Sequence, residues 1–138
     1  MVGSHCVKSW SSTQKSVTLS SGEAELVAAV KLSTELLGVI QLMKDWGMDM
    51  EGKVMVDSAA AIGVVNRRGN GKLRHVKVGM LWIQERVEEG ELKIEKVKGE
   101  NNPADLMTKY LAVKKVDQFM EDISQSFEEG RADTSLKV

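Results

Sequence analysis

The chain has 138 residues, 42% hydrophobic and 28% charged, with a formal net charge of -1, which is enough for one globular domain and short for two. That balance excludes a generally basic nucleic-acid binder, so any such contact must come from a local patch. Cys6 is the only cysteine, which excludes an internal disulfide and a thiolate zinc cage and points to a reducing, intracellular setting, cytoplasmic or nuclear. No apolar run is read as reaching the ~20 residues that span a bilayer, and the N-terminus lacks a signal peptide's hydrophobic core, so no membrane partner is expected.

Along the chain, residues 5–10 and 16–20 carry β-tolerant side chains (Val7, Trp10, Val17, Leu19) around a polar connection and predict two short strands. From Ser21 to Trp46 the pattern is helical. Ala29, Leu32, Leu36, Ile40 and Met43 form its apolar band, Ser20 and Glu23 fit a capping box, and Gly47 fits a C-terminal stop. Lys53 to Asp57 is nearly continuous apolar sequence ending in a carboxylate, as expected of a strand buried on both faces. Ser58 caps a short helix running to Arg67, residues 68–72 form a loop, and a second helix covers 74–89 with Val76, Met80, Ile83 and Val87 on one face. Leu92 to Val97 alternates like a half-buried strand, and Asn102-Pro103 opens a further helix that holds Asp105 in its first turn. A last amphipathic helix covers residues 114–127, followed by a frayed tail over 128–138. The alternation predicts an α/β layer structure, in which sites collect where strands end and helices begin.

Glu25, Asp57 and Asp105 each stand at such a junction. Acidic residues favour helix N-termini by about 0.3–1 kcal/mol through the macrodipole, which is one account of all three. The other is a metal site. Glu25 is placed near apolar residues and needs a partner, because Glu23 already serves the cap. If the three carboxylates converge, a cation must offset their repulsion, and hard oxygen donors without Cys or His suit magnesium or manganese. A carboxylate-held metal pair is one way to cleave phosphodiesters, one ion generating the attacking hydroxide and the other stabilising the leaving oxygen.

Five stretches occur in an order that resembles the ribonuclease H domain of copia-type LTR retrotransposon polyproteins: residues 9–14 (Ser-Trp-Ser-Ser-Thr-Gln), 19–26, 56–62, 73–78 (Leu-Arg-His-Val-Lys-Val) and 102–109 (Asn-Pro-Ala-Asp-Leu-Met-Thr-Lys). The resemblance covers roughly residues 3 to 112 and makes 1–112 an N-terminally incomplete ribonuclease H-like domain, with 113–127 a C-terminal helix and 128–138 a flexible tail. It implies a mixed sheet flanked by helices, lacking the opening strands, and two-magnesium hydrolysis of the RNA strand of an RNA–DNA hybrid. By motif match, Glu25 corresponds to the family's helix glutamate, Asp57 to its strand-end aspartate and Asp105 to the aspartate of its late helix. The family's first catalytic aspartate lies upstream of the Trp-Ser motif, and no Asp precedes Asp45 here. The expectation is therefore weak or absent nuclease activity unless upstream reverse transcriptase polypeptide supplies the missing strand. A non-catalytic remnant or interaction module of the same fold is the alternative. Residues 98–101 also lack the histidine that family members often carry before the late carboxylate.

Arg67, Arg68, Lys72, Arg74 and Lys77 make the densest basic cluster, suited to hybrid phosphates or simply to a solvated loop. His75 matches the family motif and reads as a cap or packing residue. Trp10, Trp46 and Trp82 are expected in the core or partly buried.

Overall fold

The computed structural model describes residues 1–14, 17–18, 20–68 and 77–127. They fall into two compact units, one formed by Thr13–Glu100 and the other by Met1–Ser12 with Asn101–Val138.

In the first unit, helix α1 (Ser21–Asp45) starts where the Ser20 hydroxyl accepts the Glu23 N–H at 3.2 Å, satisfying one of the four donors that a helix start leaves free. It stops in a Schellman turn: Gly47 takes φ +78°, its N–H returns to the Lys44 carbonyl, and the Met48 N–H returns to the Met43 carbonyl. Strand β1 (Gly52–Val56) follows, then α2 (Ala59–Val65), α3 (Lys77–Glu88) and β2 (Leu92–Lys96). The Ser58 hydroxyl accepts the Ala61 N–H at 3.2 Å and sets the start of α2. Gly90, at φ +77°, closes α3 through a second Schellman turn, with Glu91 N–H donating to the Arg86 carbonyl.

β1 and β2 pair in parallel from Gly52 opposite Leu92 to Val56 opposite Lys96, which requires the helical crossover that α2 and α3 provide. Leu26, Ala29, Val54, Val56, Ala61, Val65, Met80 and Ile83 form the core of this unit, with Trp82 and Val87 packed against it. The architecture is thus α/β, with a two-stranded parallel sheet among the described residues.

In the second unit, a 3-10 turn (Pro103–Met107) packs with helix α4 (Val113–Asp122). Asn102 starts the turn by accepting the Ala104 N–H at 3.2 Å, and Pro103 follows at its first position. Phe119 is fully buried, and the Cys6 N–H donates to the Ile123 carbonyl at 3.3 Å.

Several sequence expectations need correction. Residues 5–10 form no strand; the pairing there is a single bridge between Val2 and His5. The described residues of 16–20 (Val17, Thr18, Ser20) form none either, because β-tolerant side chains do not hold a strand without a ladder partner. β1 is buried on one face only, with Met55 on the open face. The buried stripe of α1 runs through Glu23, Leu26, Ala29 and Ser33, while Leu32 lies outside it. α1 is also long and apolar enough, by length and composition, to cross a membrane, against the expectation that no segment qualifies. Between Leu26 and Met43 its only charged residues are Lys31 and Glu35. Trp10 and Trp46 are exposed, leaving Trp82 alone of the three beside the core. α4 ends at Asp122, five residues before the expected 127. The tail from 128 lies outside the described residues.

Candidate metal and nucleic-acid site

Asp57 sits where the sequence places it, directly after β1 and before the Ser58 cap of α2. It is half-buried. Gly99, just beyond β2, is its neighbour: a Cβ at that position would stand 3.7 Å from Asp57 Oδ2. The carboxylate therefore lies at the C-terminal ends of the two parallel strands, where open α/β sheets place their ligands.

Glu25 stands one turn into α1. That helix start adjoins α2, since a Cβ on Gly22 would come within 3.3 Å of the Ala60 Cβ. Glu25 and Asp57 each lie three residues from that contact along their own segments. The environments of the two α1 glutamates are the reverse of expectation: Glu23 is buried, at 5% exposure, and Glu25 is exposed. The spacing explains it, because Glu23, Leu26 and Ala29 follow one another at intervals of three and share a stripe, from which Glu25 is turned away.

Asp105 belongs to the other unit. Its carboxylate is 14% exposed and accepts the Lys109 ammonium at both oxygens, at 2.9 and 3.0 Å. Sequence reasoning missed Lys109, although an Asp and a Lys four residues apart are a standard ion-pair spacing. Within neither unit do the described His, Cys, Asp and Glu side chains form a group of three or more that could hold a metal ion. Glu25 and Asp57 share one unit, and Asp105, in the other, has a lysine as its counter-charge.

Of the basic cluster, Lys72 and Arg74 lie outside the described residues, as does His75, and nothing is described of the Lys77 side chain. Arg67 is half-buried, and Arg68 is exposed and paired with Glu88. Both line an open cleft of about 650 Å³ between the end of α2 and α3, together with Leu81, Gln84 and Glu88. The cleft offers two guanidinium groups beside carboxylates, so its electrostatics are mixed.

This chain is related to the polyprotein of a transposon. Over 104 residues, 73% of its length, it is 36% identical to the retrovirus-related Pol polyprotein from transposon TNT 1-94 of Nicotiana tabacum. It spans 8% of the length of that polyprotein. No family model matches the chain, and no solved structure matches it.

Proposed function

We propose that the chain is a retroelement-derived domain of ribonuclease H-like fold whose complete form hydrolyses the RNA strand of RNA–DNA hybrids. The observation that carries this is the 36% identity to a transposon Pol polyprotein. It is supported by the ordered motifs around Glu25, Asp57 and Asp105 and by the position of Asp57 at the strand ends. In this proposal the three acids are ligands for magnesium or manganese, two ions when the set is complete. Arg67, Arg68, Lys72 and Arg74 contact the hybrid backbone, and the 2′-hydroxyls mark the RNA strand. Upstream reverse transcriptase polypeptide is the partner that completes the ligand set, and the chain by itself is a weak nuclease or none.

The test is cleavage of an RNA–DNA hybrid by this chain and by a version extended upstream. Magnesium-dependent cutting by the extended chain, abolished in Asp57→Asn, is expected. Cutting that survives the substitution refutes the site, and no cutting by the extended chain refutes the activity.

The second reading is a non-catalytic remnant or interaction module. It is favoured by the Lys109 partner of Asp105. Magnesium discriminates: an ion bound only by the folded chain raises the melting temperature through linkage, whereas a remnant melts at the same temperature with and without it.

A further inference from the structure

We propose that Tyr110 is a stacking platform for a base of single-stranded nucleic acid, with Lys114 and Lys115 meeting the adjacent phosphates. The inference takes its ligand class from the ribonuclease reading and adds a contact that needs neither a metal ion nor cleavage.

The sequence concentrates positive charge at this place. Between Asp105 and Asp117 stand Lys109, Lys114 and Lys115 and no acidic residue, in a chain whose net charge is -1. Asp105 engages the first of them. Lys114 is exposed and has no partner among the described residues. Lys115 is held by neutral groups: it donates to Gln118 Oε1 at 3.0 Å, and its ammonium lies 4.6 Å from the centre of the Phe119 ring. Two uncompensated charges therefore stand in the first turn of α4, where cations oppose the macrodipole, so the helix itself gives no reason for them.

The apolar side chains beside them are turned outward. Met107, Tyr110 and Val113 recur at every third residue and all three are exposed, Tyr110 wholly. A tyrosine that served packing would bury its ring, and this one leaves both ring faces open. Tyr110 and Lys114 are four residues apart, so their backbones lie within about 14 Å of each other. An open ring next to uncompensated cations is the combination that grips a single strand, since every base has a face to stack and each base carries a phosphate with it. An apolar protein surface would cover the ring but leave the lysine charges desolvated and unpaired. A duplex keeps its bases stacked inside, which leaves the single strand as the occupant.

The test uses the intact chain. Tyr110 is its only tyrosine, so selective labelling gives one ring signal that reports on this residue alone. Short oligoadenylate, as RNA and as DNA, should move that signal upfield and saturate. An RNA–DNA hybrid should move it less, and inorganic polyphosphate, which has charge but no bases, should leave it in place. Oligoadenylate affinity is then measured by fluorescence anisotropy. Tyr110→Ala should weaken it roughly five-fold or more, the loss of one stacked base, while Tyr110→Phe stays near wild type. Lys114→Gln should lower both the affinity and its salt dependence, the latter by about 0.7 in the log–log slope. Because Tyr110 is wholly exposed, its substitution leaves the fold intact. A ring signal unmoved by oligoadenylate, the same shift with polyphosphate, or equal affinity in Tyr110→Ala overturns the proposal. Failure of the ribonuclease reading is seen separately, in hybrid cleavage by the upstream-extended chain, which neither readout measures.

Discussion

The side-chain amide of Gln84 donates to the Val64 carbonyl at 2.7 Å, tying the middle of α3 to the last turn of α2. A seven-residue helix leaves more than half of its carbonyls without intrahelical donors, and here a neighbouring side chain meets one of them. Gln84 is itself buried, at 8% exposure. Gln84→Leu should keep the volume and strand the carbonyl, costing about 1–3 kcal/mol. Urea unfolding followed by circular dichroism checks this; a variant within 0.5 kcal/mol of wild type, roughly the noise of surface substitutions, would show that water serves the carbonyl equally well.

Ser33 presents the opposite situation. It lies on the buried stripe of α1 at 0% exposure, and its hydroxyl has no hydrogen-bond partner among the described residues. Ser33→Ala removes an unsatisfied group and adds helix propensity, so stability should rise by about 1 kcal/mol. A loss of stability in the same unfolding experiment would mean that the hydroxyl is bonded in solution.

These two residues mark the boundary of what sequence alone conveys. The starts of α1 and α2 and the stops of α1 and α3 were legible because Ser20, Ser58, Gly47 and Gly90 sit where local backbone groups are satisfied or a positive φ is needed, and local chemistry is written in neighbouring residues. β1 and β2 were legible from their alternation and apolar runs. The one-sided burial of β1 was not, since it depends on which elements cover each face. Gln84 carries no signal in its own sequence neighbourhood that it serves a carbonyl 20 residues away. At the candidate site, Asp57 fell at the expected strand end, whereas the exchange between Glu23 and Glu25 came from giving the cap precedence over the three-residue spacing to Leu26. The Asp105–Lys109 pair was available from spacing and was missed because Asp105 was weighed only as a metal ligand or a dipole partner.

Ser124 ends α4 in the left-handed conformation, at φ 53°, with its N–H returning to Glu121 and the Gln125 N–H to Met120. Gly47 and Gly90 fill the equivalent position in the other two turns without a Cβ. A residue with a Cβ costs roughly 1–2 kcal/mol there. Ser124→Gly should therefore stabilise the unit containing α4 by about 1 kcal/mol, offset slightly by glycine's greater freedom when unfolded. Hydrogen exchange of the α4 amides reads this directly, and unchanged or faster exchange would contradict it.

Glu51 and Lys93 pair across the start of the sheet, and each shifts the other. The hydrogen bond from Lys93 holds the Glu51 carboxyl below its ordinary 4.5, with the lysine charge adding to it. Lys93 is raised above its ordinary 10.5, first by the same hydrogen bond. The signs follow from linkage. The Glu51 contribution is present above pH 4.5 and is lost as pH falls through its lowered value. The Lys93 contribution is present below pH 10.5 and is lost as pH rises through its raised value. Both side chains keep more than half of their surface in solvent, so the expected observable is the titration itself. The Glu51 carboxyl should titrate below 4.5 in wild type and return toward 4.5 in Lys93→Ala. Identical midpoints in the two proteins would show that the pair does not persist in solution.

Of Arg67 and Arg68, the two arginines of the basic cluster that the structure describes, Arg68 is the more open to solvent, and Glu88 holds it. Its side chain is 89% exposed and that of Glu88 57%, so solvent screens the pair and a phosphate can compete for the guanidinium. Under the proposed function, Arg68 must exchange a carboxylate for a phosphate on binding, and Glu88 also repels the backbone it approaches. Glu88→Gln removes both costs. Affinity for an RNA–DNA hybrid, measured by fluorescence anisotropy, should rise by about two- to five-fold at low salt. The gain should shrink as salt is added, because both effects are electrostatic and exposed. Arg68→Gln should weaken binding and lessen its salt dependence. If Glu88→Gln binds no better than wild type while Arg68→Gln binds worse, the pair does not oppose phosphate contact; if neither changes, this end of α3 does not face the hybrid.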